Sequence, residues 1–382
     1  MSNVKFFATL VLIQRVVVTI ISKIFDGRVI SRRGFLSESA GAITSASLLS
    51  SAVAQVVAPP SRILTYTDHE PLGGMRTRFI NDVLFPAIGK ESNGRLNIVG
   101  HWEGQLAGSY DALRAVGNTG VADMAIVVPE YTAKELPLHQ IFKSFPKGPS
   151  ASRQVDFFRS VYAEAPAFSE ELKKNNVVPI FLATGYPVAF FSTKPLNNLN
   201  GLKGEKWRSA SFWHQDFLKN AGATPVSMHW GPEIYDALKA RTLDGLMVNV
   251  DSGYMLKVHE AAPYVLVSKD LWLGHLYVLA MNNDIWNGLA PEDRAAIQRA
   301  AETSYRTLGS VMDQSFDAQV DELRKGGANV RILDPNELER WGAATKYKDV
   351  QDAWVREQQR KGATNVGPVF EKVNSIMNDV MG

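Results

Sequence analysis

Residues 291–325 read PEDRAAIQRAAETSYRTLGSVMDQSFDAQVDELRK. The stretch holds one unbroken helical pattern. Pro291 and the acids Glu292 and Asp293 suit a first turn, and Gly326-Gly327 supplies the stop. At 1.5 Å per residue such a helix is about 50 Å long. That is more than one α/β lobe needs, so the expected role is a brace running along two lobes.

The chain upstream supplies those lobes. RILTYT (62–67), RLNIVGH (95–101) and ADMAIVV (122–128) read as strands, separated by helical patterns at 75–92 and 109–120. Strand, helix, strand, helix, strand implies a parallel sheet with crossover helices. Further strand candidates are VVPIFLA (177–183), VAFFS (188–192), EKWRS (205–209) and LDGLMVNV (243–250), with helices at 212–221 and 232–241. LYVLAMN (276–282) reads as a return to a central sheet. Helical segments at about 336–361 and 367–380 close the chain. The expected division is lobe I at 60–184 with about 275–290, lobe II at 185–274, the bracing helix at 291–326, and C-terminal helices within 327–382.

The first 54 residues read as an export segment. SRRGFL (31–36) precedes AGAITSASLLSSAVA, with small residues at Ala52 and Ala54 before Gln55. This is the order of a positive patch, a modest apolar region and a cleavage site. The paired arginines resemble a twin-arginine signal, with Ser37 where that motif often carries Lys. Residues 1–30 lie upstream of the motif, and Val29 is the candidate true start.

Composition narrows the function. The chain has 382 residues and a formal charge of +2; cleavage after Ala54 leaves 35 basic and 37 acidic residues, a charge of −2. That argues against a general nucleic-acid or anionic-membrane binder. Cysteine is absent, so disulfides, thiolate zinc sites and iron–sulfur clusters are excluded. The seven histidines form no HExxH or HxxxH pair. No GxSxG elbow, phosphate loop or GxGxxG follows a strand. Nothing points to catalysis.

GEKWRSASFW (204–213) places Arg208 between Trp207 and Trp213. On a strand, neighbouring side chains face opposite ways, so Trp207 is core if Arg208 faces a crevice. A guanidinium is a planar fork that matches a carboxylate in two hydrogen bonds.

Several ordered motifs then carry a resemblance. LNGLKGEKWRS, FLKNAGATPVSMHWGPEIYDALKARTLDG, GQLAGSYDALRAVGNTGVADMAIVVPEY and LAPEDRAAIQRAA resemble the solute-binding proteins of TRAP transporters, the DctP-type receptors. The resemblance covers nearly the whole mature chain. It implies an α/β, two-lobed periplasmic-binding-protein fold of type II-like build, with crossing hinge strands. It also implies a periplasmic receptor, expected as a monomer without cofactor, that hands a small organic acid to TRAP permease subunits. The family arginine maps onto Arg208 and implies the carboxylate anchor. An ABC-transporter receptor and a secreted enzyme on a similar scaffold are the alternatives.

Other candidate contacts are Trp213, Trp230, Tyr186, Asn249 and Asp251 on the second-lobe side. On the first, they are Glu70, Glu130 and Tyr131. HWGP carries one residue more than the family run before Glu233, and Leu246 and Met247 stand where polar residues are usual, which leaves Asn249 or Asp251 as the polar contact. GYPVAFF (185–191) lacks the second arginine of some sialic-acid receptors, and Tyr186 is its nearest polar candidate. A smaller or more apolar acid is expected: a 2-oxo acid, a 2-hydroxy acid or an aromatic acid. Glu70, Glu130 and Asp251 offer oxygen to a ligand-bridging metal, but their spacing does not demand one.

Overall fold

The computed structural model describes residues 61–118, 120–272 and 274–382. The expected export segment lies outside the described residues. Eleven strands among the described residues form two sheets. The first comprises β1 (Arg62–Thr67), β2 (Leu96–His101), β3 (Met124–Val127), β4 (Val177–Thr184) and β10 (Leu276–Asn282), in the order β2-β1-β3-β10-β4. The second comprises β5 (Val188–Ser192), β6 (Lys206–Arg208), β7 (Thr224–Val226), β8 (Gly245–Asn249), β9 (Tyr264–Val267) and β11 (Asn329–Ile332), in the order β11-β9-β5-β8-β6-β7.

β1 pairs in parallel with β2 and β3, as crossover helices require. β10 runs antiparallel to both of its neighbours. The register slips between Leu279 and Ala280, where β4 presents Pro179. Proline has no N–H to donate, and β4 is an edge strand, where that loss is tolerated. Alternate residues of the central strands enter two apolar clusters. Met247 and Val278 belong to one; Leu246, Val248 and Leu279 belong to the other. This period of two is how a sheet packs helices on both faces.

The chain passes directly from β4 to β5 through Gly185–Pro187, and returns after β9 to β10. The helix Pro291–Lys325 packs on the helices Phe85–Glu91 and Ala151–Glu164 and also on Val250–Met255 and β11. One rod therefore touches the layers of both sheets.

Three details depart from the sequence reading. The segment 336–361 is two helices, Pro335–Thr345 and Tyr347–Arg360, because Lys346 takes a left-handed conformation (φ 49°). The helix expected over 109–120 is only Ala112–Gly117, preceded by a turn closed by Asp111 N–H donating to Gly108 O at 3.0 Å. β11 lies within the 327–382 span expected to hold C-terminal helices, ahead of the first of them; it pairs with β9 as an edge strand.

Gly309, midway along the long helix, lies against Ser152: a Cβ there would stand 2.5 Å from the Ser152 backbone N and Cα. Helix propensity alone favours Gly309→Ala by about 0.5–1 kcal/mol. Close packing reverses the sign, and we expect a loss of ~1–3 kcal/mol, read as a lower urea midpoint. A raised midpoint would show that the two helices separate at no cost.

Candidate functional site

The carboxyl ends of β1, β3, β6 and β8 point into one cleft between the sheets, where ligands of α/β folds gather. β10 is antiparallel, so its amino end meets them there. His69 and Glu70 follow β1; Glu130 and Tyr131 follow β3; Ser209 and Ala210 follow Arg208 of β6; Ser252 follows β8; His275 and Tyr277 open β10. Trp230, beyond β7, completes the wall. The cleft is nearly shut: the centre of a water-sized sphere has about 20 Å³ in which to move.

Arg208 is 2% exposed. Its Nε and Nη2 both donate to the Met228 carbonyl, at 3.0 and 2.7 Å, and its guanidinium carbon lies 5.7 Å from the centre of the Trp230 ring. Burial lowers its pKa, while Tyr131, Glu130 and Tyr110 pull the other way; an arginine stays charged under such a shift. Among the described residues no carboxylate forms an ion pair with it. The acid facing it, Glu130, is already engaged: Oε2 accepts from Lys143 Nζ at 2.8 Å and Oε1 meets His275 Nε2 at 2.7 Å. Burial alone would raise the Glu130 pKa, but Lys143 and His275 hold it well below the usual carboxylate range. Burial, aided by Lys143, lowers the pKa of His275 against the pull of Glu130.

On the first-sheet side, Arg76 takes Asp68 in two hydrogen bonds of 2.5 and 3.0 Å and reaches Glu70 Oε2 at 2.8 Å. Its guanidinium lies 4.3 Å from the Tyr277 ring centre. Glu70 is thus pinned through one oxygen. Among the described residues no hydrogen bond reaches the other.

Arg208, Trp230, Glu70, Glu130 and Tyr131 line the cleft. Trp213 does not. It is fully buried, 5.0 Å from Phe212 and 5.3 Å from Trp354, because its helix turns that side chain toward the C-terminal helices. Tyr186 is also turned away, its ring edge-on to Phe316 of the long helix at 6.5 Å. Asn249 stands one layer back: its Oδ1 meets His275 Nδ1, and its Nδ2 is buried with no hydrogen-bond partner. Asp251 is likewise behind the wall, its pKa pushed up to about 7 by burial and the nearby Glu70 charge. Trp207 is core, edge-on to Phe190 at 5.8 Å. Sequence reading missed His275 and Tyr277 as cleft residues because it followed only the carboxyl ends of strands. Among the described residues no group of three His, Asp or Glu side chains is placed to hold a metal.

Two sheets, a cleft at their strand ends and a helix bracing both are the build of a two-lobed binding protein. The chain belongs to the bacterial extracellular solute-binding proteins of family 7, whose family model matches residues 84–353. A solute-binding protein of Chromohalobacter salexigens is 23% identical over 243 residues, 63% of this chain and 67% of that one. The fold is shared with a TRAP solute-binding protein of Rhodoferax ferrireducens in complex with copurified benzoate: TM-score 0.73, 22% identity, 84% of this chain and 99% of that one. It is shared too with an extracytoplasmic solute receptor of Bordetella pertussis that binds pyroglutamic acid: TM-score 0.68, 20% identity, 82% of this chain and 99% of that one.

Asp68 holds the first-sheet wall together. Burial raises its pKa, but Arg76 outweighs this and the folded value is lowered. Its contribution is therefore complete above the unfolded value of about 3.9 and is lost as pH falls through the folded one. Asp68→Asn should cost ~3–5 kcal/mol at pH 7 and flatten the acid limb of the stability curve. Unchanged stability at pH 7 would mean that the pair adds nothing to the fold.

Proposed function

We propose that the protein is a periplasmic receptor that captures a small organic carboxylate and delivers it to a TRAP-type permease. Arg208 holds the carboxylate. The observation that carries this reading is a buried guanidinium, at a cleft wall, with no carboxylate among the described residues to neutralise it. Two of its donors serve a carbonyl, and the charge itself is left for a ligand. A charge-assisted pair gains strength as a closing cleft excludes water.

The rest of the cleft suggests the ligand's size and chemistry. Trp230, Tyr131 and Tyr277 line the cleft with aromatic rings, and Met247 and Val248 with aliphatic groups. Glu70 keeps one oxygen for a donor on the ligand. Benzoate and pyroglutamic acid, named for two proteins of the same fold, are small ring carboxylates of the kind such walls suit. Lobe I (60–184 with about 275–290) and lobe II (185–274, to which we add β11) close on the ligand about the two crossings. The receptor acts as a monomer.

A thermal-shift screen of the chain from Gln55 onward against organic acids tests the reading. An acid present at 100 times its Kd stabilises by about 2.7 kcal/mol. Arg208→Ala should weaken that acid by ~2–5 kcal/mol and abolish the shift, with the acid recovered unchanged by mass spectrometry. A shift that survives Arg208→Ala removes the anchor; an acid that is consumed makes the protein an enzyme.

We also propose export by the twin-arginine route. Replacing Arg32 and Arg33 with Lys should leave the precursor in the cytoplasm. Normal export of that variant rejects the route.

A further inference from the structure

We infer that Tyr110 and His229 form a clamp across the cleft mouth that fixes the separation of the Tyr131 and Trp230 walls. Tyr110 sits on the turn before the helix Ala112–Gly117, on the first-sheet side. His229 lies between β7 and the helix Glu233–Lys239, on the second-sheet side. Their rings stack at 4.5 Å between centres, 17° from parallel. Tyr110 also packs on Tyr131 at 4.4 Å, and His229 adjoins Trp230, the ring beside Arg208. Two cleft walls from different sheets are thereby linked through one ring contact.

The placement separates this contact from ordinary core packing. Tyr110 is 40% exposed and His229 is exposed. Neither ring belongs to an apolar cluster, so removing one opens no cavity in either layer. The sheets are also tied at the cleft floor, where His275 meets Asn249. A floor tie near the crossings leaves the outer edges free to part; a contact at the mouth has the longer lever arm against opening. The clamp thus sets how far the walls stand apart, and so the thickness of the ligand. This deepens the receptor reading and rests on it.

The chain has no cysteine, so two introduced thiols can carry spin labels without interference. Lys134 and Lys239 are exposed, one on each side of the cleft. In the Lys134→Cys/Lys239→Cys chain without added ligand, pulsed dipolar spectroscopy should give a shorter, closed distance and a longer, open one. Tyr110→Ala and His229→Ala should each move weight to the longer distance, raising the open-to-closed ratio about two- to tenfold, the worth of one aromatic pair. Tyr110→Phe keeps the ring and should keep the original ratio. The double alanine variant should open no further than either single one, since both remove the same contact. Additive opening, or distances unchanged in both single variants, overturns the clamp. Should Tyr110→Ala fail to fold, His229→Ala carries the test. Failure of the carboxylate reading shows separately, as acids that give no Arg208-dependent thermal shift.

Discussion

A guanidinium keeps its charge wherever it is buried, so a chain that buries one must surround it with compensation. At Arg208 that compensation is incomplete. The Met228 carbonyl and the Trp230 ring supply dipole and quadrupole, but among the described residues no acid forms an ion pair with it. The sheet puts the group there because β6 alternates: Trp207 goes into the core and Arg208 into the cleft. The fold around the cleft can be understood as the support of that one buried, unpaired charge.

The acids of the cleft are managed in the opposite way. Asp68 and Glu70 share Arg76, and Glu130 is held between Lys143 and His275. Each carboxylate is committed to an internal cation or imidazole, which keeps it from collapsing onto Arg208. The two networks also link elements far apart in sequence, since Glu130 follows β3 while His275 begins β10. Gly185, in the first crossing, belongs to the same construction. A Cβ there would stand 2.2 Å from Asn249 Nδ2 and 3.2 Å from the His275 Cβ, so only glycine lets the crossing strand pass this close to the floor.

Regular elements were legible because they obey local rules. The strands at 62–67 and 276–282 and the helix at 291–325 match their predicted bounds; each has a strong period or a clear stop. What failed locally had a specific cause. The break at Lys346 needs a left-handed lysine, which nothing in YK or TK announces. β11 is a four-residue edge strand whose partner is 65 residues away: Asn329 pairs with Tyr264. The helix at 109–120 loses its first turn, and there Tyr110 packs against Tyr131 and His229, contacts that no local pattern describes.

By itself the sequence determined the two-sheet α/β class, the bracing helix and the presence of a lone arginine at a strand end, because alternation, helix period and stop residues are properties of neighbouring positions. Only the tertiary structure decided which side chains share the cleft. Trp213 and Arg208 are five residues apart, yet a turn from strand to helix sends one into the core and the other to the cleft wall. His275 and Tyr277 enter the wall because β10 runs against its neighbours, a direction set by pairing between distant strands. Pairing and packing are long-range, and they place the charge, its walls and its clamp.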